Sequence, residues 1–124
     1  MGDGSRKPCG AGDKEQYRFF LRKCRGSILF FQVGRFFEFY DEQAERVLEV
    51  LGLRRIEARR GFGIRCGFPV NLKEKYLKKL MGLSFPVYVV REGEGWLSGV
   101  KQRVVGEAWI VAPGATTGKG GFDA

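Results

Sequence analysis

The sequence predicts a mixed α/β fold: a small mixed β-sheet flanked by about three helices. Three patterns carry that expectation. Apolar residues recur at helical spacing in three places, at Tyr17, Phe20, Leu21 and Cys24, at Ala44, Val47, Leu48 and Leu51, and at Tyr76, Leu77 and Leu80. "SILFFQV" (27–33) is a continuous apolar run, the pattern of a strand covered on both faces. "FPVYVVRE" (85–92) and "VKQRVVGEAWIVA" (100–112) add β-rich runs near the end of the chain.

The elements follow in order. Residues 1–12 are Gly-rich and polar and are expected to form a flexible arm, ahead of a domain over 13–115 and a loose tail over 116–124. The first helix is expected to open at Asp13, with Gln16 as capping-box partner, and to stop at Gly26. Gly34 breaks the apolar strand. A second helix is then expected from about Glu38 to Leu51, stopped by Gly52. "RRIEARRGFGIRCGFP" (54–69) reads as a basic loop that turns at Gly61, Gly63 and Gly67 and holds short strands at most. Asn71 and Glu74 form a second expected capping box, opening the helix that ends at Gly82. "EGEGW" is expected to be a turn between the last strands.

Composition narrows the function. At 124 residues and 44% hydrophobic, the chain can bury about two-thirds of its unfolded surface as one domain. Its apolar runs fall short of the roughly 20 residues that cross a bilayer, and the N-terminus has no apolar signal core. With three scattered cysteines, that pattern leads to the expectation of a cytoplasmic protein with reduced thiols and no membrane partner. There is no histidine and no C-x-x-C pair, so neither a metal nor another cofactor is expected, and the usual general base near neutral pH is missing. The expectation is a protein that is not an enzyme.

Charge points to a partner. The net charge is +8, and residues 54–80 hold Arg54, Arg55, Arg59, Arg60, Arg65, Lys73, Lys75, Lys78 and Lys79 against Glu57 and Glu74. Such clustering suits a polyanion, above all nucleic acid. "GATTGKGG" (114–121) is not a phosphate loop, since its glycine spacing is one residue short and Lys119 precedes Gly120 rather than Ser or Thr.

The most informative stretch is "VGRFFEFYDEQA" (33–44), which crowds four aromatics around Glu38. Phe36, Phe37, Phe39 and Tyr40 at a helix entrance cannot all face a core, because successive side chains diverge by about 100°. An exposed phenyl beside a carboxylate can stack on an unpaired base and accept a hydrogen bond from it. Ordinary core packing explains the same residues, and periodicity leaves both readings open. The acidic run Asp41, Glu42 and Glu45 is accounted for by the dipole of the helix it opens.

Three blocks in order resemble the amino-terminal mismatch-recognition domain of the MutS family of DNA mismatch-repair proteins. They are "ILFFQVGRFFEFYDEQA", "CGFPVNLKEKYLKKL" and "KQRVVGEAWIVAPGA". The resemblance implies a mixed sheet surrounded by helices, with Phe36 as the ring that wedges beside a mispaired base and Glu38 as its hydrogen-bonding neighbour. Arg35 stands where the family commonly has an acid, Phe37 where it has Tyr, and Asn71 where it often has His. The family's connector, lever, clamp and ATPase domains have no counterpart in these residues, which implies binding without ATP-driven signalling.

The resulting expectation is a nucleic-acid-binding module for mismatched or distorted DNA or RNA–DNA duplex. Phe36 and Glu38 would read bases, and Arg35, Arg54, Arg55, Arg59, Arg60 and Arg65 would contact the backbone. The resemblance extends to small MutS-like accessory factors of retroelement reverse transcriptases. It implies a protein partner such as a reverse transcriptase or another repair-type subunit. The alternative is a protein-interaction adaptor that keeps the fold and docks on a partner polypeptide. A nuclease working through Glu38 or Asp41 is a third reading, with metal-dependent cleavage as its mark.

Overall fold

Six strands form one sheet in the computed structural model, which describes residues 11–57, 62–97 and 100–110. The elements are α1 (Ala11–Lys23), β1 (Ile28–Val33), β2 (Phe36–Tyr40), α2 (Asp41–Leu51), β3 (Ile56–Glu57), β4 (Ile64–Pro69), a 3₁₀ turn (Val70–Leu72), α3 (Lys73–Gly82), β5 (Val87–Leu97) and β6 (Val100–Trp109). The strand order is β3-β4-β2-β1-β5-β6. Only β1 and β5 pair in parallel; the other neighbours are antiparallel. The sheet is therefore mixed, as the sequence predicts. The expected arm and tail, and "GATTGKGG", fall largely or wholly outside the described residues.

Helices cover both faces of this sheet. On the first face α1 lays Tyr17, Phe20 and Cys24 against Leu29, Phe31, Val33, Tyr40, Phe62 and Val90. On the second face α2 and α3 lay Ala44, Val47, Leu51, Leu77, Leu80 and Met81 against Ile28, Phe30, Phe37, Phe39, Cys66, Phe68, Val87 and Val89. Because side chains alternate along a strand, β1 feeds both cores, which is why its sequence is apolar throughout. The second-face core is dominated by rings: Phe30 meets Phe68 edge-on at 5.2 Å and Phe39 at 5.6 Å. Cys24 and Cys66 are buried free thiols. No described helix is long and apolar enough to cross a membrane.

Four expectations are corrected. Residues 36–40 are a strand, not the start of the second helix; α2 begins abruptly at Asp41, whose φ of +52° makes the turn. Four aromatics around Glu38 fit a helical period, but Phe37 and Phe39 alternate cleanly into the second-face core. Asp13 is no cap: it is buried, and its carboxylate accepts from Arg103 Nη1 at 2.7 Å, while Gln16 Nε2 donates to the Lys101 carbonyl. Asn71 does not cap α3 either, since the 3₁₀ turn precedes that helix and Leu72 holds its cap position without a side-chain bond. "EGEGW" lies inside the long β5–β6 hairpin, where a register shift between Glu92 and Trp96 absorbs it.

Candidate nucleic-acid interface

The site begins with a two-residue hairpin. Val33 pairs with Phe36, so Gly34 and Arg35 form the loop, and Gly34 takes the positive φ of +64° that such a first loop position needs. The tip is tied down from several directions. Gln32 Nε2 donates to the Gly34 carbonyl, and the Glu92 carboxylate accepts from Gly34 N at 2.9 Å. Val70 N donates to the Arg35 carbonyl at 2.9 Å.

Behind the tip lies Arg103, whose side chain is 1% exposed. It donates to Asp13, Glu92 and the Gln32 carbonyl, and its guanidinium lies 4.5 Å from the centre of the Phe31 ring. A guanidinium this buried needs partners, and two carboxylates with the Gln32 and Lys101 carbonyls engage all three of its nitrogens. The hairpin therefore rests on a satisfied ionic core.

Strand alternation sets what the hairpin presents. Phe36, Glu38 and Tyr40 point to the first face; Phe37 and Phe39 point to the second. Phe37 and Phe39 are fully buried, and Tyr40 is stacked on Phe62 at 4.1 Å. Phe36 alone of the four aromatics is open, at 44% exposure. The expectation that a ring would be exposed is met, but strand geometry at a hairpin end is the reason.

Glu38 is not a free carboxylate. Tyr40 Oη donates to Oε1 at 2.5 Å and Arg65 Nη1 to Oε2 at 3.3 Å, leaving the glutamate side chain 14% exposed. Gly67 lies directly opposite Glu38 across the β2–β4 ladder. A Cβ on Gly67 would sit 2.6 Å from the Phe37 carbonyl oxygen, so only glycine lets β4 approach here. Gly67 is thus a strand residue, not a turn. Burial, followed by the Glu38 charge beside it, pushes the neighbouring Cys66 thiol up to about 11.

The other residues singled out by sequence divide. Arg65 shares the first face with Phe36 and Glu38. Arg35 is exposed at the tip beside Phe36. Arg55 is exposed and pairs with Glu45 of α2 at 3.2 Å, on the opposite face of the sheet. Arg54 is exposed in the same link, with no carboxylate partner among the described residues. Arg59 and Arg60 lie outside the described residues. Asp41 is occupied structurally: its Oδ1 accepts from Gly63 N at 2.7 Å and Ile64 N at 3.2 Å. No cluster of three metal-ligating side chains occurs among the described residues.

Sequence reasoning counted Tyr40 among the four aromatics without giving it a role at Glu38, and assigned no role here to Gly67, Gln32, Glu92 or Arg103. Gly67 was read as a turn residue, because its role needs the partner strand to be seen. Arg103 is 90 residues from Asp13, beyond the reach of any local pattern.

Comparison with known proteins sets this geometry in a family. The family model described as MutS domain I matches residues 12–119. A DNA mismatch repair protein MutS from Azorhizobium caulinodans is 33% identical over 105 residues, covering 74% of this chain and 11% of that protein. Proteins of the same name from Staphylococcus carnosus and Petrotoga mobilis are 28% and 29% identical, covering 88% and 86% of this chain and 13% of each relative. The chain thus spans about an eighth of the length of these curated relatives.

Proposed function

The chain belongs to the MutS domain I family, and from that premise we propose that it is a non-enzymatic module that binds mismatched or distorted duplex, DNA or RNA–DNA hybrid. One observation carries the reading: Phe36 is the single open ring of its aromatic block, on the same strand face as Glu38 and on a hairpin braced by a buried ionic core. A ring meant for the protein interior would not be left at 44% exposure while its three neighbours are sealed.

The proposed mechanism follows from the contacts. Phe36 stacks beside a destabilised base, worth about 1–3 kcal/mol. Glu38 accepts a hydrogen bond from that base. Its contact to Arg65, at 3.3 Å, is the longer of its two and gives way, while Tyr40 keeps the carboxylate aimed. The released Arg65 turns to a phosphate, joined by Arg35 at the tip. Kinking the duplex costs a few kcal/mol, about what one stack and one hydrogen bond return. Binding by these residues alone is therefore dominated by counterion release and falls steeply with salt. Selective binding calls for a partner, for which a reverse transcriptase or a repair-type subunit is the proposed class. An accessory role beside a retroelement reverse transcriptase, in the cytoplasm, fits a ligand range that includes hybrids and mismatches.

Phe36→Ala tests the reading. Salt-titrated binding to matched, mismatched and hybrid duplexes should show a roughly 5- to 150-fold loss of mismatch preference, equivalent to about 1–3 kcal/mol, with the salt slope unchanged. Unaltered mismatch preference in this variant, together with lost association with a protein partner, would establish the adaptor reading instead.

A further inference from the structure

A cleft of about 270 Å³ opens at the end of the sheet away from the Phe36 hairpin, lined by Leu21, Arg22, Arg25, Ser27, Gln43 and Arg46 among others. Arg22 and Arg25 come from the end of α1 and the turn after it; Arg46 comes from α2. All three are exposed, and among the described residues none has a carboxylate within ion-pairing distance. Glu42 is the single acid on the rim. Three arginines thus line one concavity against one acid, and like charges so gathered favour an anion between them.

The cleft is also built. Gln43 forms its floor by clamping α2 to β1: its Oε1 accepts from Leu29 N at 2.8 Å and its Nε2 donates to the Ser27 carbonyl at 2.9 Å. Arg46 stands one turn along α2 from Gln43, and its guanidinium lies 5.6 Å from the centre of the Phe85 ring. Gly26, with φ of +84°, turns the chain from the Arg-bearing end of α1 into β1. The base of the cleft is held by the Gln43 clamp, and its rim carries three arginines against one glutamate.

The geometry points to a second anion site here, one that takes a phosphoryl group. Arginine forks match phosphate oxygens two at a time, which distinguishes this cleft from a lysine-rich surface. Its volume lies just below the roughly 300 Å³ at which small-molecule pockets begin, suiting a phosphate with its adjoining sugar rather than a larger ligand. The site is independent of Phe36, since the six residues of β1 separate the two ends by on the order of 20 Å. The phosphoryl group can come from a nucleic-acid backbone or from a free phosphorylated molecule.

The test uses the full chain, ¹⁵N-labelled, with the Gly26 and Ser27 amides followed by NMR at constant ionic strength. Sodium phosphate should shift both amides saturably, and sodium chloride should not. Arg25→Gln with Arg46→Gln should abolish the shift, and Arg46→Lys should weaken it several-fold because the fork is lost while the charge stays. If oligothymidylate shifts the same amides and the double variant lowers its salt slope by about one to two, the source is a backbone. If phosphate and ATP shift them and oligothymidylate does not, the source is a free phosphorylated molecule. No saturable shift with any of these, or a stronger response to polyglutamate than to phosphate, overturns the proposal. Arg25→Gln with Arg46→Gln leaves the mismatch preference carried by Phe36 unchanged, so the two sites stand or fall separately.

Discussion

The hairpin tip and the basic segment that follows α2 were both expected to touch nucleic acid, yet they are constructed in opposite ways. At the tip, Phe36 projects from a strand whose loop is bonded to Glu92, Gln32 and Val70, with the buried Arg103 beneath. In the basic segment β3 has two residues, both exposed, and Arg55 makes an ion pair with Glu45 in which both side chains are more than half exposed. The difference teaches what each task requires. Stacking on one base needs a ring held in place, whereas attraction to a polyanion acts over roughly 8–10 Å and tolerates loose side chains. Rigidity is concentrated where position matters.

That contrast predicts unequal costs. Arg103→Ala strikes the tip's foundation: it removes the guanidinium that the buried Asp13 and the largely buried Glu92 share, and should cost about 3–5 kcal/mol in urea unfolding. A loss under 1 kcal/mol would show that the tip is no better anchored than the basic segment. Gly67→Ala comes next, since its Cβ collides with the Phe37 carbonyl and β4 must move away from Glu38. The expected cost is about 1–3 kcal/mol, with reduced mismatch preference even where the variant remains folded.

A pH measurement sharpens the picture of the ground between the two regions. The Cys66 thiol rises from 9.0 to about 11 in the folded state, through burial first and the Glu38 charge second. A raised folded value means that the folded chain holds its proton longer than the unfolded one. This contribution is therefore whole below pH 9 and is lost as pH climbs from 9 toward 11. Burial raises the Tyr17 hydroxyl and the Cys24 thiol in the same direction. Cys66→Ala should flatten, without abolishing, the decline in unfolding midpoint over that window. The smallest effect belongs to the basic segment: Arg55→Ala should change stability by less than about 1 kcal/mol, because the exposed pair with Glu45 is screened. Its signature is instead a salt slope for duplex binding lowered by at most about 0.9.

Much of the fold was legible because periodicity is a local property. Tyr17, Phe20 and Cys24 declare α1, Val47 and Leu51 declare α2, and the unbroken apolar run of β1 declares a strand covered twice. The block around Glu38 stood out in the sequence but misled as structure. Its aromatic spacing suits either period, and α2 follows β2 with no loop to mark the change. The capping boxes at Asp13 and Asn71 had correct spacing, but the tertiary partner of Asp13 and the 3₁₀ turn before α3 took precedence.

The amino-acid order by itself determined the mixed α/β class, the positive charge and the crowding of aromatics around Glu38, since each is written in neighbouring residues or in plain counts; the roles of Phe36 and Glu38 came from the family resemblance. Tertiary structure alone decided that Arg65 and Tyr40 hold Glu38, that Arg103 braces the hairpin and that Arg55 faces away. Those outcomes depend on which strands become neighbours and on which face each side chain then falls. Contacts such as Glu38 with Arg65, 27 residues apart, exist only once β2 and β4 have paired.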